Sequence, residues 1–322
     1  MHCPRNGVGS RHPAKGTGIL MSASPAPEEH RLSLPDGTHL HLDRYAAGKG
    51  AAAGSVVFLH GFTIYGGPYR PVAEAFAAAG LDVTVVDVRG HGRSEGRRGY
   101  VRRFSDFVDD LDAVLEWTRV RARTPDAPLV VAGHSHGGTI ALAHALTGRL
   151  KPAALALGAP WLATAMKVPA IKRAASPVLG VLWPTLALAN GIRVEDVSRD
   201  VEVQARLAAD PLIHHVATAR WFNEAVATQA HILAQAGSWS IPTFIQVPEA
   251  DRIASPGVTT AFVQAAVAAG RPVEGKSYPG VFHELFLEPE RDRVIADLVG
   301  WVSEQLTSGV VARDKARILS SS

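Results

Sequence analysis

The chain has 322 residues, 47% of them hydrophobic and 20% charged, with a formal net charge of +3. This is the make-up of a soluble globular protein with enough residues to bury a sizeable core. The excess charge lies in residues 1–20, where Arg5, Arg11 and Lys15 meet no acid, and the other 30 basic residues are balanced by 30 acidic ones, so the broad basic face of a nucleic-acid binder is excluded.

Cys3 is the single cysteine, which excludes a disulfide or a cysteine zinc site. Residues 1–20 lack the apolar core of a signal peptide, and Met21 offers a second start. Everything before about Glu29 is expected to be a disordered tail. No run reaches the ~20 apolar residues of a spanning helix. The expectation is a cytoplasmic protein, with peripheral membrane contact left open.

From the N-terminal side, His30 to Leu34 and Leu40 to Tyr45 flank Pro35-Asp36-Gly37, a turn signal between two short strands. Ser55 to Leu59 reads as a buried strand running into His60-Gly61-Phe62. Arg70 to Ala79 reads as a helix ended by Gly80. Leu81 to Val86 is a second buried strand, followed by the Asp87 loop. Ser105 is the expected N-cap of a helix reaching about Arg121, with Phe107, Leu111, Val114 and Leu115 on its apolar face. A strand from Leu129, a helix from Gly138 to Thr147 and a strand over Ala153 to Leu157 follow.

From Pro160 to about Ser240 the alternation stops and helical stretches succeed one another, with the apolar run Pro177 to Asn190 broken by Pro184. This segment reads as a helical cap. A strand over Thr243 to Val247, a helix from Ser255 to Ala269, a strand over Val273 to Tyr278 and a helix from about Pro289 to Gln305 complete the pattern. Strands alternating with helices predict an α/β fold with a mostly parallel central sheet covered by helices on both faces. The expected organisation is a tail over 1–28, a core over 29–159 and 241–309, a cap insertion over 160–240 and a frayed tail over 310–322.

Ligands of such sheets sit at the carboxyl ends of the strands. Gly133-His134-Ser135-His136-Gly137 fits G-x-S-x-G with a strand before it and a helix after it, the setting of a nucleophile elbow. Ser135 is therefore the expected nucleophile. Its hydroxyl needs a base. The chain order serine, acid, histidine points to His283, the one histidine after the resumed sheet. Glu249 and Asp251 both follow the preceding strand, and either could orient the base. The oxyanion donors are expected to be the main-chain N–H groups of His136 and Phe62. His60, His91, His134 and His136 read as loop-shaping residues, and no metal is expected.

These residues together resemble the serine hydrolases of the α/β-hydrolase fold, in their monoacylglycerol lipase and lysophospholipase branch, from about Leu32 to Leu306. The motifs that carry the resemblance are His60-Gly61-Phe62, the run Asp87 to Gly96 with its Gly-His-Gly-Arg-Ser-Glu-Gly, Gly133 to Gly138, Ala209-Asp210-Pro211-Leu212 and Phe282-His283. The resemblance implies a cofactor-free enzyme that cleaves lipid esters, and it selects Asp251 as the acid. Two places depart from the pattern: Thr63-Ile-Tyr-Gly-Gly67 replaces a Gly-Glu-His-Ser run, and Glu249 stands where a glycine is usual.

The implied function is a carboxylic ester hydrolase working through an acyl-enzyme on a small-molecule or lipid ester. A general carboxylesterase or a peptidase of the same fold, or a non-catalytic binding protein, are the alternatives. Leu182 and Trp183, in the apolar run of the cap, are the expected substrate-binding side chains.

Overall fold

The computed structural model describes residues 26–320 apart from Lys49, Ala51, Pro125 and Gly148, with side chains as far as residue 308. Most of the expected N-terminal tail therefore falls outside the described residues.

Strands β1 (Glu28–Ser33) and β2 (His39–Tyr45) form the expected hairpin, with Asp36 Oδ1 accepting from the Thr38 N–H at 2.9 Å. The alternating part follows: β3 (Gly54–Leu59), α1 (Arg70–Ala78), β4 (Leu81–Val86), α2 (Phe104–Val120), β5 (Leu129–His134), α3 (His136–Thr147) and β6 (Ala154–Gly158). Next come α4 (Ala170–Leu182), β7 (Ala187–Ala189), α5 (Val194–Val197), α6 (Val201–Ala209), β8 (Val216–Thr218) and α7 (Ala219–Ala234). The chain ends with β9 (Thr243–Pro248), α8 (Pro256–Ala268), β10 (Val273–Tyr278) and α9 (Arg291–Ser320).

The eight-stranded sheet has the order β1-β2-β4-β3-β5-β6-β9-β10, antiparallel at β1-β2-β4 and parallel from β4 onward. Strands β3, β4, β6 and β9 are buried throughout, as their mainly apolar composition favours, and the polar residues within them, such as Asp82 and Gln246, are hydrogen-bonded. Successive side chains serve opposite faces. Val57, Leu59, Val131 and Leu155 pack with residues of α2, α3 and α8, while Val56, Phe58, Val130 and Ala154 pack with residues of α1 and α9. The chain lays down β3 and β4, then crosses back to place β5 on the other side of β3. This reversal opens a crevice at the carboxyl ends of β3 and β5.

Three local expectations differ from what forms. Helix α2 starts at Phe104, not after Ser105, because Asp106 accepts from the Arg103 N–H at 3.3 Å and caps the helix earlier. The 160–240 segment is not wholly helical: β7 and β8 pair antiparallel within it. Helix α9 continues to Ser320, through the stretch expected to fray after 309. In α4, Pro177 sits inside the helix, and the Ser176 hydroxyl donates to the Arg173 carbonyl at 3.1 Å. That carbonyl has no Pro177 N–H to accept from.

Candidate active site

The turn from β5 into α3 holds Ser135 at φ +52°, a left-handed backbone that costs an L-residue roughly 1–3 kcal/mol. The surroundings enforce it. The Ser135 N–H donates to the Gly158 carbonyl at 3.0 Å, and the Ser135 carbonyl accepts from the Thr139 and Trp161 N–H groups at 3.0 and 3.1 Å. The flanking glycines are steric necessities. A Cβ at Gly137 would stand 2.3 Å from the Leu59 carbonyl oxygen, and one at Gly133 would stand 2.9 Å from the Gly137 main chain.

Two loops bring side chains to that turn. His283, past β10, has its Nε2 2.8 Å from Ser135 Oγ and its Nδ1 2.7 Å from Asp251 Oδ2, on the loop past β9. Asp251 Oδ1 accepts from the Ile253 and Ala254 N–H groups at 2.7 and 3.0 Å, which fixes the carboxylate. Glu249 is exposed and takes no part in this line. Burial alone would lower the His283 pKa. The Asp251 charge and hydrogen bond outweigh it and hold the imidazole above its ordinary value. All three side chains are buried. The arrangement can move a proton from Ser135 Oγ to His283 Nε2 with Asp251 steadying the cation that forms.

Among the described residues, the main-chain N–H groups of Phe62 and His136 have no hydrogen-bond partner. The Phe62 loop is framed from below. His60 donates from Nδ1 to the Gly61 carbonyl at 2.7 Å and accepts at Nε2 from the Val88 N–H at 2.9 Å. Asp87 accepts from the Gly66 and Arg93 N–H groups at 2.7 and 2.8 Å. Arg89 clasps Asp110 with both arms of its guanidinium. The Asp87-to-Gly96 motif is thus a brace for the site.

The His136 side chain behaves otherwise. Both ring nitrogens lack partners, and the ring sits edge-on to Phe62, Phe104 and Phe107, where burial drives its pKa down to about 3. A group of metal-ligand geometry does occur among the described residues, at Glu29, His41 and Asp43, away from these histidines. There the Arg93 guanidinium donates to Glu29 at 2.9 Å and to His41 Nε2 at 3.0 Å, so a cation is already supplied.

A cavity of about 450 Å³ opens over Ser135 and His283, walled by Phe62, Trp161, Leu179, Leu188 and Trp221. Trp221 stacks on Phe62 at 3.7 Å and on Trp161 at 5.3 Å, which makes one wall a continuous aromatic surface.

The family model described as serine aminopeptidase, S33 matches residues 50–290. The chain belongs to this family. It is an α/β-hydrolase, and within the family it is an ester hydrolase. It is 34% identical over 255 residues to the monoacylglycerol lipase of Mycolicibacterium smegmatis, covering 79% of this chain and 89% of that protein. It is 28% identical over 251 residues to lysophospholipase L2 of Escherichia coli, covering 71% of this chain and 73% of the other. The crystal structure of the monoacylglycerol lipase of Paleococcus ferrophilus superposes with a TM-score of 0.74 at 25% identity, covering 83% of this chain and 99% of that one.

Against this family background, one expectation is corrected. Leu182 and Trp183 do not line the cavity; they are 63% and 62% exposed. Helix periodicity gives the reason. Lys172, Ser176 and Leu179 share the cavity side of α4, Val178 and Val181 project from the other side, and Leu182 and Trp183 come at the exposed C-terminal end, beyond the part that meets the cavity. The sequence reading also passed over Glu284. It is buried beside His283, with Tyr69 Oη donating to its carboxyl at 2.8 Å. An acid following a loop histidine reads as a surface pair. The signal that could have found it is the apolar run Leu285-Phe286-Leu287 that follows, which is buried.

Proposed function

We propose that the protein hydrolyses lipid esters through an acyl-Ser135 intermediate, with monoacylglycerols or lysophospholipids as its substrate class. The observation that carries this reading is the Asp251–His283–Ser135 line lying at the floor of a largely apolar cavity of about 450 Å³. Ser135 Oγ attacks the ester carbonyl while His283 Nε2 takes its proton. The Phe62 and His136 N–H groups receive the negative charge on the carbonyl oxygen. The tetrahedral adduct expels the glycerol-bearing alcohol, which leaves with the proton from His283. A water repeats the sequence on the acyl-enzyme, and a fatty acid departs. Asp251 keeps the His283 tautomer correct throughout.

The segment from Ala159 to Pro242 serves in this reading as the cap that holds the acyl chain. A peptidase reading is disfavoured, because a substrate amine calls for a free carboxylate and the cavity-lining Glu284 is engaged with Tyr69. The cap also offers a surface for lipid. Ile171, Val178, Val181, Leu182 and Trp183 are exposed, and residues 163–192 carry Lys167, Lys172 and Arg173 with no acid. An apolar and basic face of this kind suits peripheral contact with an anionic bilayer. No helix among the described residues is long and apolar enough to cross a membrane.

The test is labelling with a fluorophosphonate probe followed by turnover of a monoacylglycerol. Wild-type enzyme is expected to label at one site and Ser135→Ala to label not at all, with hydrolysis reduced on the order of 10⁴-fold or more. A Ser135→Ala protein that kept a few per cent of wild-type turnover would remove Ser135 from the reaction.

A further inference from the structure

Beneath His283 lies a buried polar cluster that the proton-transfer line does not use. Its members are Tyr69 from the start of α1, His134 from the end of β5 and Glu284 from the loop past β10. His134 Nε2 is 3.0 Å from the His283 carbonyl oxygen, so that nitrogen carries a hydrogen and donates it. His134 Nδ1 then presents its lone pair to Tyr69 Oη at 3.1 Å and Glu284 Oε1 at 3.3 Å. Tyr69 has a single hydrogen, and its shortest contact is Glu284 Oε2 at 2.8 Å. The donor left for His134 Nδ1 is a carboxylic proton on Glu284. The neutral acid completes every hydrogen bond in the cluster.

Burial favours the same state, pushing the Glu284 pKa up to about 7. Burial also carries Tyr69 well above and His134 well below their ordinary values, so both are neutral. The oxyanion loop rests on the cluster too. Gly61 packs directly on it: a Cβ there would stand 3.0 Å from His134 Nδ1 and 3.4 Å from Glu284 Oε1. Three segments that must agree on one geometry therefore meet at a single carboxyl: the loop past β3, the strand leading to Ser135, and the main chain of His283.

We propose that Glu284 is a positioning residue for the ester-cleaving site, locking the main chain of His283 to the oxyanion loop through Tyr69 and His134. It exchanges no proton with substrate. The inference rests on the assignment of Ser135 and His283 made above. Displacing reacting groups by about 1 Å can cost on the order of 10²-fold in rate, so the lock reads out in turnover more than in binding.

The experiment compares Glu284→Gln, Glu284→Leu and Tyr69→Phe with wild type on a monoacylglycerol. Each rate is normalised to the sites titrated by a fluorophosphonate. The glutamine amide can donate to His134 Nδ1 while its carbonyl accepts from Tyr69, so Glu284→Gln is expected to keep kcat within about threefold. Glu284→Leu removes the carboxyl that joins Tyr69 to His134, leaving only the longer 3.1 Å Tyr69–His134 contact, and is expected to lower kcat by roughly 10–100-fold with KM changed less than about threefold. Tyr69→Phe is expected to lower kcat by roughly 5–20-fold, and it decides the matter should the leucine variant fail to fold. Wild-type kcat per titrated site in Glu284→Leu or Tyr69→Phe would overturn the proposal. So would a glutamine variant as slow as the leucine variant. A wild-type protein that takes up no probe would instead overturn the function on which the inference rests.

Discussion

Asp251 and Glu249 stand two residues apart on one loop, yet their surroundings separate them completely. Asp251 is buried, held by two amides and bonded to His283, whereas Glu249 faces solvent. Asp251→Asn is therefore expected to lower kcat by about 10⁴-fold, because the amide favours the wrong imidazole tautomer. Glu249→Gln should leave kcat unchanged. The same contact sets the acid limb of the pH profile. The His283 imidazole must be neutral to accept the Ser135 proton, and Asp251 raises its pKa above 6.5. Activity should thus rise with pH through a midpoint above that value. In Asp251→Asn the residual activity should rise at lower pH, since burial remains without the compensating carboxylate. A pH series of kcat/KM on both proteins checks the direction. At this scale the elbow motif and the order of serine, acid and histidine were enough to name Ser135 and His283, which meet in space. They could not choose between Glu249 and Asp251 without a family resemblance, because backbone amides such as those of Ile253 and Ala254 leave no mark in the sequence.

Among the elements, the elbow was legible because its constraints are local. Glycines at 133 and 137, a strand before and a helix after are all written in adjacent residues. Helix α4 was not, because its orientation depends on α7. Asn223 donates to the Ser176 carbonyl at 2.7 Å, and a Cβ at Gly180 would stand 2.7 Å from the same amide nitrogen. That contact turns Ser176 and Gly180 inward and sends Leu182 and Trp183 outward. Strands β7 and β8 escaped notice for a related reason. Three residues each, Ala187–Ala189 and Val216–Thr218, are too few to show alternation, and they pair with each other across residues 190–215.

The two sides of α4 predict different losses. Leu179→Ser, on the cavity side, is expected to flatten the rise of kcat/KM with acyl length, which each buried methylene otherwise increases by roughly 0.8 kcal/mol. Leu182→Ser with Trp183→Ser should spare turnover of dispersed short-chain esters and weaken sedimentation with vesicles containing anionic lipid. A series of esters from acetyl to octanoyl and a vesicle pelleting assay separate the two. If the surface pair flattened the chain-length series and Leu179→Ser did not, the side of α4 assigned to the acyl chain would be wrong.

Across the whole molecule, the inserted segment and the histidine loop are fastened together. Glu288, fully buried, accepts from the Ser198 hydroxyl at 2.8 Å, from Arg199 Nε at 2.6 Å and from the Phe282 N–H at 3.1 Å. The Glu284 N–H adds a bond to the Val197 carbonyl at 2.9 Å. Glu288→Gln keeps the shape and loses the charge. It is expected to destabilise by roughly 1–3 kcal/mol, seen as a thermal midpoint lower by several degrees. An unchanged midpoint would mean that the clasp contributes nothing.

Strands β6 and β9 lie side by side in parallel, Gly158 opposite Gln246, although everything from Ala159 to Pro242 intervenes along the chain. The two ends of the insert are therefore neighbours, and the cost of closing a longer loop between them grows only with the logarithm of its length, about 0.6 kcal/mol for each doubling. Such an arrangement works like a socket. Lineages can lengthen, shorten or exchange the plug, and with it the range of molecules admitted, while the machinery underneath is inherited unchanged. The points where the insert is bonded to the core, among them Ser198 and Arg199 on Glu288 and Thr218 on Gly99, must fit whichever plug is present.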